Sequence, residues 1–418
     1  MTEQLLQYIW QFQHYNINQL STTDGQLITI VHPGTLNTNQ GPDFLNAKIN
    51  IAGTLWAGSV ELHLFSSQWK THNHGNDKNY KNVILHVVWQ EDEKLDVAFP
   101  TLILQDRISM ILLNKYGDMM GNPAFVPCYK HLPSIRSITL TSWKERLLVE
   151  RLQTKASYIH SLLLQNNFHW EETFWWMISR NFGITLNSEA FEAIARSIPI
   201  NILAKHKQQI IQLEAILFGQ AGLLEKKFTE DYPVLLKKEY QFLQKKYSLR
   251  VAGVNLLFMR MRPANFPTIR LAQLSALVMQ SQHLFSTILE SRSITEIESL
   301  LAVTANDYWH YHYNFEDEAS FKPKVLGRQM IHNIIINTIV PMLFTHGFYN
   351  NNEATKNKAL MWLEQVSAEQ NYITKGFVKL GIQNKSAFDS QALIQMKNEY
   401  CNQKRCLQCA VGNLILKS

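Results

Sequence analysis

Residues 41–63 read GPDFLNAKINIAGTLWAGSVELH, and this segment predicts the fold of the N-terminal domain. A Pro-Asp pair opens it, and an acidic residue, a spacer and a basic residue close it. We expect Asp43 to end one strand and Glu61 and His63 to lie on the next. Side chains alternate between the faces of a strand, so Glu61 and His63 share a face and Leu62 lies on the other. Two carboxylates and a basic group at a strand crossing predict a divalent-cation site suited to phosphodiester hydrolysis.

The sequence around this stretch predicts a helix, three strands, a helix or loop, and a further strand. An apolar stripe indicates the first helix, and β-branched runs bounded by turn residues indicate the strands. The predicted helix covers residues 2–15, the strands cover 26–31, 48–56, 59–65 and 83–89, and the polar stretch 66–82 holds a loop or short helix. Gly53 and Gly58 are expected near the turn between the second and third strands.

This motif and this order of elements resemble the PD-(D/E)xK nuclease superfamily, with His63 where that superfamily usually has lysine. The resemblance implies a restriction-endonuclease-like fold in which Asp43 and Glu61 bind Mg²⁺ or Mn²⁺. His63 would orient or deprotonate the attacking water, although a neutral imidazole does not supply the permanent charge of lysine. The alternative interpretation is structural: Gly41-Pro42-Asp43 is a turn, and Glu61 and His63 form the polar face of a half-exposed strand.

Further histidines follow the proposed site in the sequence. His72 and His74 lie in the polar stretch HNH, where an imidazole can bind a metal or act as general acid or base. Loops beside sites often carry the chemistry, so we include both as candidate catalytic residues. His86 lies inside the apolar run VILHVVW, which favours a hydrogen-bonded core histidine instead.

Length and composition describe an ordinary globular protein, because the chain has 418 residues, of which 46% are hydrophobic and 18% charged. No apolar run is long enough to span a bilayer, and the start MTEQLLQYIW lacks the basic region of a signal peptide. We therefore expect a cytoplasmic protein without a membrane partner. The formal charge of +6 permits binding to DNA or RNA but does not require it. The oligomeric state is left open by the sequence.

The expected fold class is α+β, with an N-terminal mixed α/β domain followed by a large all-α domain. The nuclease-like domain covers residues 1–120, a connection rich in proline and glycine covers 121–141, and the helical domain covers 142–418. Ser142 and Glu145 predict a capping box at the start of the helical domain. Further helices are predicted at 189–197, 201–217, 232–246, 269–291, 294–303, 325–346, 353–369 and 388–400.

One segment of the helical domain, RMRPANFPTIR, places Arg260, Arg262 and Arg270 in a rigid loop before a helix. Arginine binds phosphate oxygens in a bidentate manner, and a helix N-terminus attracts anions. The segment therefore predicts contact with a nucleic-acid backbone or a phosphorylated ligand. The alternative is that these arginines pair with buried carboxylates such as Glu150 or Glu214.

The chain has four cysteines, Cys128 in the connection and Cys401, Cys406 and Cys409 in the segment CNQKRCLQC. A C-x4-C-x2-C cluster joined by one distant cysteine predicts a tetrathiolate site for zinc or an iron–sulfur cluster. The set is similar to that of the iron–sulfur-stapled branch of the PD-(D/E)xK nucleases, although the internal spacing differs and Cys128 follows the motif. The alternative is four reduced, partly buried thiols.

Nearly the whole chain resembles the bacterial domain-of-unknown-function family 2851. The resemblance rests on the stretches GPDFLNAKI, WAGSVELH, SSQWKTHNH, NVILHVVW, RLLVERLQTK, LFGQAGLL, RMRPANFPTIRLAQL and CLQCAVGN. That family implies no particular activity. Its pattern commonly has aspartate where this chain has Gln68, and an aspartate there could assist metal binding.

The sequence thus leaves three functions open. The first is a metal-dependent nuclease that uses Asp43, Glu61 and His63. The second is a metal-dependent hydrolase of a small phosphorylated substrate, in which the histidine-rich loop forms a transition-metal site. The third is a catalytically silent module that binds nucleic acid or protein on the same fold.

Overall fold

The computed structural model describes residues 1–132, 135, 137–259, 261–281 and 283–417, apart from the side chain of Asn76. The chain forms two compact units, which are Met1–Trp143 together with Met396–Ser418, and Lys144–Gln395. We expected the cysteine-rich C-terminal segment to belong to the helical domain, and it belongs instead to the first unit. The protein is a mixed α+β structure with an N-terminal curled sheet and a larger helical part.

The strands of the first unit form a mixed sheet. They are β1 (Ile28–His32), β2 (Thr35–Leu36), β3 (Phe44–Ile51), β4 (Thr54–Phe65), β5 (Val83–Gln90) and β6 (Thr101–Ile103). The order across the sheet is β1-β3-β4-β5-β6, with β2 also beside β3. β3 runs antiparallel to β1, β2 and β4, whereas β4 and β5, and β5 and β6, are parallel. Parallel neighbours require a crossover connection, which the segment between β4 and β5 supplies.

The first unit begins with α1 (Glu3–Gln11), followed later by α2 (Gln68–Thr71), α3 (Met110–Gly121) and the start of α4 (Ser137–Gln165). The apolar stripe of α1 is buried and includes Leu5, Leu6, Ile9 and Trp10. The Trp10 indole donates to the carbonyl of Pro33, which fixes α1 beside the turn before β2. The predicted order of helix, three strands, short helix and strand is therefore present, with β2 as an additional short strand.

The hairpin of β3 and β4 differs from the prediction in two ways. Asp43 directly precedes β3 and does not end a strand. The turn lies at Ala52 and Gly53, which have φ values of 51° and 86°, and Gly58 lies within β4 opposite Ala47. Gly58 is needed for close approach, because an added Cβ would lie 2.5 Å from Ile84 Cγ2 on the next strand.

The second unit is mainly helical. Its helices are α5 (Trp170–Phe182), α6 (Ser188–Arg196), α7 (Ile200–His206), α8 (Ile210–Gln220), α9 (Asp231–Tyr247), α10 (Pro267–Gln280), α11 (Leu284–Glu290), α12 (Ile294–Leu300), α13 (Asp307–His310), α14 (Arg328–Ile334), α15 (Val340–Tyr349), α16 (Glu353–Gln365), α17 (Tyr372–Lys379) and α18 (Ala387–Gln395). The π-helical turn Ile335–Ile339 joins α14 to α15, and a small hairpin is formed by β7 (His312–Asn314) and β8 (Asp317–Glu318).

Three helix predictions need correction. Ser142 is not an N-cap, because α4 already begins at Ser137. A serine inside a helix destabilises it by only about 0.5 kcal/mol relative to alanine, so the helix can continue through this residue. The predicted helix 201–217 is divided into α7 and α8. The predicted helix 269–291 is divided into α10 and α11, where Ser281 is extended and His283 is left-handed with φ 49°.

The C-terminal segment returns to the first unit through the π-helical turn Met396–Cys401, the 3₁₀ turn Cys406–Gln408 and α19 (Ala410–Lys417). Its buried residues include Val411, Ile415 and Leu416. This helix packs on α3. Among the described residues, no helix has the length and apolar character that crossing a bilayer would require.

Candidate metal centre

β4 carries the two residues of the predicted motif into the interior of the first unit. Glu61 and His63 are only 5% and 1% exposed, and they share a face, with Glu61 Oε1 3.6 Å from His63 Nε2. Leu62, between them, is buried on the other face. The sheet is therefore covered on both sides here. The alternative of a half-exposed polar strand face is wrong.

The loop after β4 adds two histidines to this face. α2 ends at Thr71 with His72 as its C-cap, and Asn73 takes a left-handed conformation with φ 56° before a 3₁₀ turn that begins at His74. As a result His72 Nδ1 lies 3.2 Å from His63 Nε2, and His74 Nε2 lies 3.4 Å from Glu61 Oε1. One ring nitrogen from each of the three histidines falls within 4.8 Å of the other two.

The residue Gln68 supports this loop. Its side-chain oxygen accepts a 2.8 Å hydrogen bond from the backbone N–H of Phe65, at the end of β4. The bond holds the start of α2 against the strand that carries Glu61 and His63. Gln68 therefore stabilises the turn between β4 and α2.

His86 on β5 orients the ring of His63 through a hydrogen bond to its Nδ1. Its Nε2 lies 2.8 Å from His63 Nδ1, so that the other ring nitrogen of His63 faces His72. Burial and the neighbouring imidazoles lower the pKa of His63 to about 2, and burial and His74 lower that of His86 to about 4. Both rings are therefore neutral near pH 7, which is the form that binds metals. The prediction of His86 as a hydrogen-bonded core histidine is confirmed.

Aromatic rings enclose the histidines on one side. The ring of Tyr80 stacks on His74 with centroids 3.9 Å apart, and Trp69 packs against both residues and against His86. Trp69 and Tyr80 were not predicted as part of the site. The available signal was their position in the short segment between β4 and β5 that also carries His72 and His74.

Asp43 and Glu61 are linked to each other. The backbone N–H of Asp43 donates to Glu61 Oε2 at 3.0 Å, and the Asp43 carboxylate accepts from the N–H of Leu62 and from Gln7 Nε2, at 3.0 and 2.8 Å. Gln7 on α1 was also missed, since nothing in the apolar stripe of that helix marks it. Both Asp43 oxygens are thus engaged, and the residue positions Glu61 and the strand that carries it.

Among the described residues, no lysine or arginine side chain neutralises Asp43 or Glu61. Burial raises the pKa of Asp43 to about 6, and burial together with Asp43 raises the pKa of Glu61 to about 9. Within the described ranges, neither group forms an ion pair with a lysine or arginine, and the only basic side chains within 4 Å of the Glu61 carboxyl oxygens are those of His63 and His74. A bound divalent cation would stabilise the ionised form of Glu61.

The available ligand atoms are three imidazole nitrogens and one carboxylate. This set suits Zn²⁺, Mn²⁺ or Fe²⁺, whereas Mg²⁺ prefers oxygen ligands throughout. We expected Asp43 and Glu61 to bind Mg²⁺ or Mn²⁺ through oxygen. The geometry instead adds His72 and His74 to Glu61 and His63, and these residues fit a transition metal.

The arginines of the segment RMRPANFPTIR belong to the second unit and lie far from this cluster in the sequence. Arg270 on α10 is 7% exposed. Its guanidinium donates to Gln273 Oε1 at 2.9 Å and Asn265 Oδ1 at 2.6 Å, and it pairs with no carboxylate of the described residues. Arg262 is exposed, and Arg260 lies outside the described residues.

The alternative pairing of these arginines with Glu214 is not observed, since Glu214 accepts from Tyr232 and Trp309. Arg270 lines a cavity of about 440 Å³ together with Lys324, which is only 4% exposed. Phosphate binding at Arg270 and Arg262 stays a prediction.

These features define a class: a mixed α+β protein with a buried carboxylate–histidine cluster on a curled sheet. The family model described as "Protein of unknown function (DUF2851)" matches residues 3–372, and the chain belongs to this family. The resemblance to family 2851 is thereby confirmed, whereas the resemblance to the PD-(D/E)xK nucleases stays a prediction. No curated protein and no solved structure matches the chain.

Proposed function

We propose that this protein is a metal-dependent phosphodiesterase that acts on nucleic acid, with a transition-metal ion held by His63, His72, His74 and Glu61. One observation carries the proposal, namely the convergence of three imidazole nitrogens within 4.8 Å of one another beside a buried carboxylate. Neutral imidazoles offer lone pairs to a cation, and a bound cation would stabilise the ionised form of the buried Glu61 carboxyl group.

Each residue of the cluster has a role that follows from its contacts. His86 holds the His63 ring, and Asp43 holds Glu61 through its backbone N–H. His72 is exposed, so the metal that it would bind can be reached from solvent at this side of the cluster. When bound, the metal would polarise the phosphate and lower the pKa of a water molecule.

Two features support nucleic acid as the substrate. The order of a helix, three antiparallel strands, a crossover and a parallel strand agrees with the core that the nuclease resemblance implies. In addition, Lys78 and Lys81 are exposed on either side of Tyr80, whose ring stacks on His74. Neither lysine is paired with a carboxylate of the described residues, and cations beside the cluster would contact backbone phosphates.

The test is cleavage of single- and double-stranded DNA and RNA by metal-stripped protein to which Mn²⁺, Zn²⁺ or Mg²⁺ is added back. We expect cleavage with Mn²⁺ or Zn²⁺, and its loss in Glu61→Gln and in His72→Asn. His283→Asn is the matched control, because this exposed histidine has a left-handed backbone that asparagine tolerates. Cleavage by His72→Asn and Glu61→Gln at the wild-type rate would refute the site.

A second candidate function is hydrolysis of a small phosphorylated substrate. The three histidines favour it specifically, since they replace the carboxylate-rich site of a Mg²⁺-dependent nuclease with a transition-metal set. Zn²⁺- or Mn²⁺-dependent hydrolysis of bis(p-nitrophenyl) phosphate without binding to any nucleic acid would select this function. Nucleic-acid binding that survives Asp43→Ala, with no turnover by the wild type, would instead indicate a silent binding module.

A further inference from the structure

The chain's four cysteines lie around one small cavity in the first unit. Cys128 follows the connection segment Val126-Pro127, Cys401 ends the π-helical turn, Cys406 begins the 3₁₀ turn, and Cys409 precedes α19. Each of these thiols is free and buried, with 5 to 8% of the residue exposed. The cavity that they line has a volume of about 10 Å³.

This convergence is more than the ordinary burial of a small apolar residue. Free cysteine is often buried, which explains a single thiol in a core. Here residues from two distant parts of the sequence bring every cysteine of the chain to the same cavity. No packing requirement gathers thiols in preference to alanine or valine, so their common property is the capacity to bind a metal.

The backbone is built to bring two of the thiols together. An added Cβ on Gly412 would lie 2.1 Å from the carbonyl oxygen of Cys406, so only glycine allows the 3₁₀ turn to approach α19 this closely. Burial raises the pKa of the Cys409 thiol, and the backbone N–H groups of Gly412 and Val411, which donate to it, offset part of this increase. Such donors stabilise metal-bound thiolates.

Burial favours the neutral form of the thiols, and two nearby lysines act in the opposite direction. Burial and the neighbouring cysteines raise the pKa of Cys128 to about 12, and burial and Cys409 raise that of Cys406 to about 12. Without a metal these thiols stay protonated, and a bound metal deprotonates them. Lys397 and Lys404 partly offset the increase at Cys401 and Cys406, respectively.

The spacing of the sulfur atoms discriminates between zinc and a larger centre. With Zn–S bonds of about 2.3 Å, two thiolates on a tetrahedral zinc ion lie about 3.8 Å apart. Although all four cysteines are among the described residues, no three of their sulfur atoms lie within 4.8 Å of one another. Wider separation suits thiolates that bind different iron atoms of one cluster, and a C-x4-C-x2-C spacing is compatible with such ligands.

We propose that Cys128, Cys401, Cys406 and Cys409 bind an iron–sulfur cluster that joins the C-terminal segment to the connection after α3. The site is separate in its residues from the histidine cluster and does not depend on the proposed function. Its role is structural: the cluster cross-links two segments that are distant in sequence, and this restricts the unfolded chain much as a disulfide would.

The test uses full-length protein purified without oxygen. Iron, zinc and acid-labile sulfide are measured by mass spectrometry and colorimetry, and visible absorption is recorded before and after dithionite. We expect iron and sulfide in comparable amounts, with visible absorption that dithionite bleaches. Zinc without iron would overturn the cluster, and metal-free wild type with four titratable thiols would overturn the site altogether.

Variants then assign the ligands. Cys406→Ser and Cys409→Ser should lose iron, whereas Ile415→Val, a buried change on the same C-terminal helix that leaves all four thiols, should retain it. Glu61→Gln should also retain iron, which separates this site from the histidine cluster. Full iron content in both cysteine variants would refute the assignment. If these variants do not fold, the iron and sulfide content of the wild type alone decides.

Discussion

At the scale of single residues, Glu214 in α8 is a carboxyl group that the fold keeps away from both water and cations. It is fully buried, and its Oε2 accepts from the Tyr232 hydroxyl at 2.6 Å and the Trp309 indole at 3.0 Å. Its Oε1 has no hydrogen-bond partner among the described residues. Burial outweighs the two hydrogen bonds and raises the pKa of Glu214 to about 7.

This raised pKa predicts a pH-dependent stability. The folded state holds the Glu214 proton more tightly than the unfolded chain, so its stabilising contribution is complete below about pH 4.5 and declines as the pH rises through 7. Between low and high pH, the free energy of unfolding of the wild type should fall by about 3 kcal/mol relative to that of Glu214→Gln. Urea unfolding of both proteins at pH 5 and pH 8 measures it. Glu225→Gln, at an exposed position, is the control. Equal differences at the two pH values would contradict the prediction.

Alternation along a strand was sufficient to predict that Glu61 and His63 share a face, because that property is local. The contacts of Gln7 with Asp43 and of His86 with His63 depend on pairing between distant segments. No local pattern encodes them. The site's central pair was thus predictable from the sequence, while the residues that orient the pair were not.

At the scale of elements, glycine misled the strand prediction. Gly53 and Gly58 look equivalent in the sequence, but one occupies a turn with φ 86° and the other lies inside β4 under the packed side chain of Ile84. The helix breaks between α7 and α8 and between α10 and α11 were missed for a related reason. Neither break is marked by proline or glycine in the sequence, so local propensity did not predict that α7 and α10 end where they do.

Gly58 therefore makes a testable case. In Gly58→Ala the new methyl group would collide with Ile84 and with the backbone oxygen of Asn82, and either β4 or β5 must shift. We expect a loss of about 1–3 kcal/mol in unfolding free energy, typical of overpacking, and weaker metal binding because β4 carries Glu61 and His63. Gly117→Ala is the control, since nothing lies near an added Cβ there and alanine favours the helix. A neutral or stabilising effect of Gly58→Ala would refute this account of β4 packing.

At the scale of the whole molecule, the helix and strand patterns predicted an α/β part followed by a helical part, and only the cysteines indicated that the chain returns to the first unit. Composition changes near the connection, and that change is visible along the sequence. The return of Met396–Ser418 to the first unit depends on contacts between residues distant in sequence, which composition does not indicate. The cysteine spacing was its one local sign, because it predicted that the C-terminal segment would join Cys128.

The return of the C-terminal segment predicts where its removal is felt. A chain that ends after Cys401 lacks α19, in which Val411, Ile415 and Leu416 are buried. Burial of each of these side chains contributes about 2 kcal/mol to the packing of α19 on the first unit. Amide hydrogen exchange followed by mass spectrometry should therefore accelerate in α3, on which α19 packs. Helices of the unit Lys144–Gln395 should keep their protection, since α19 belongs to the other unit. A chain that ends at Leu416 is the control and should exchange like the full chain. Unchanged exchange in α3, or an equal acceleration in both units, would contradict the assignment of this segment to the first unit.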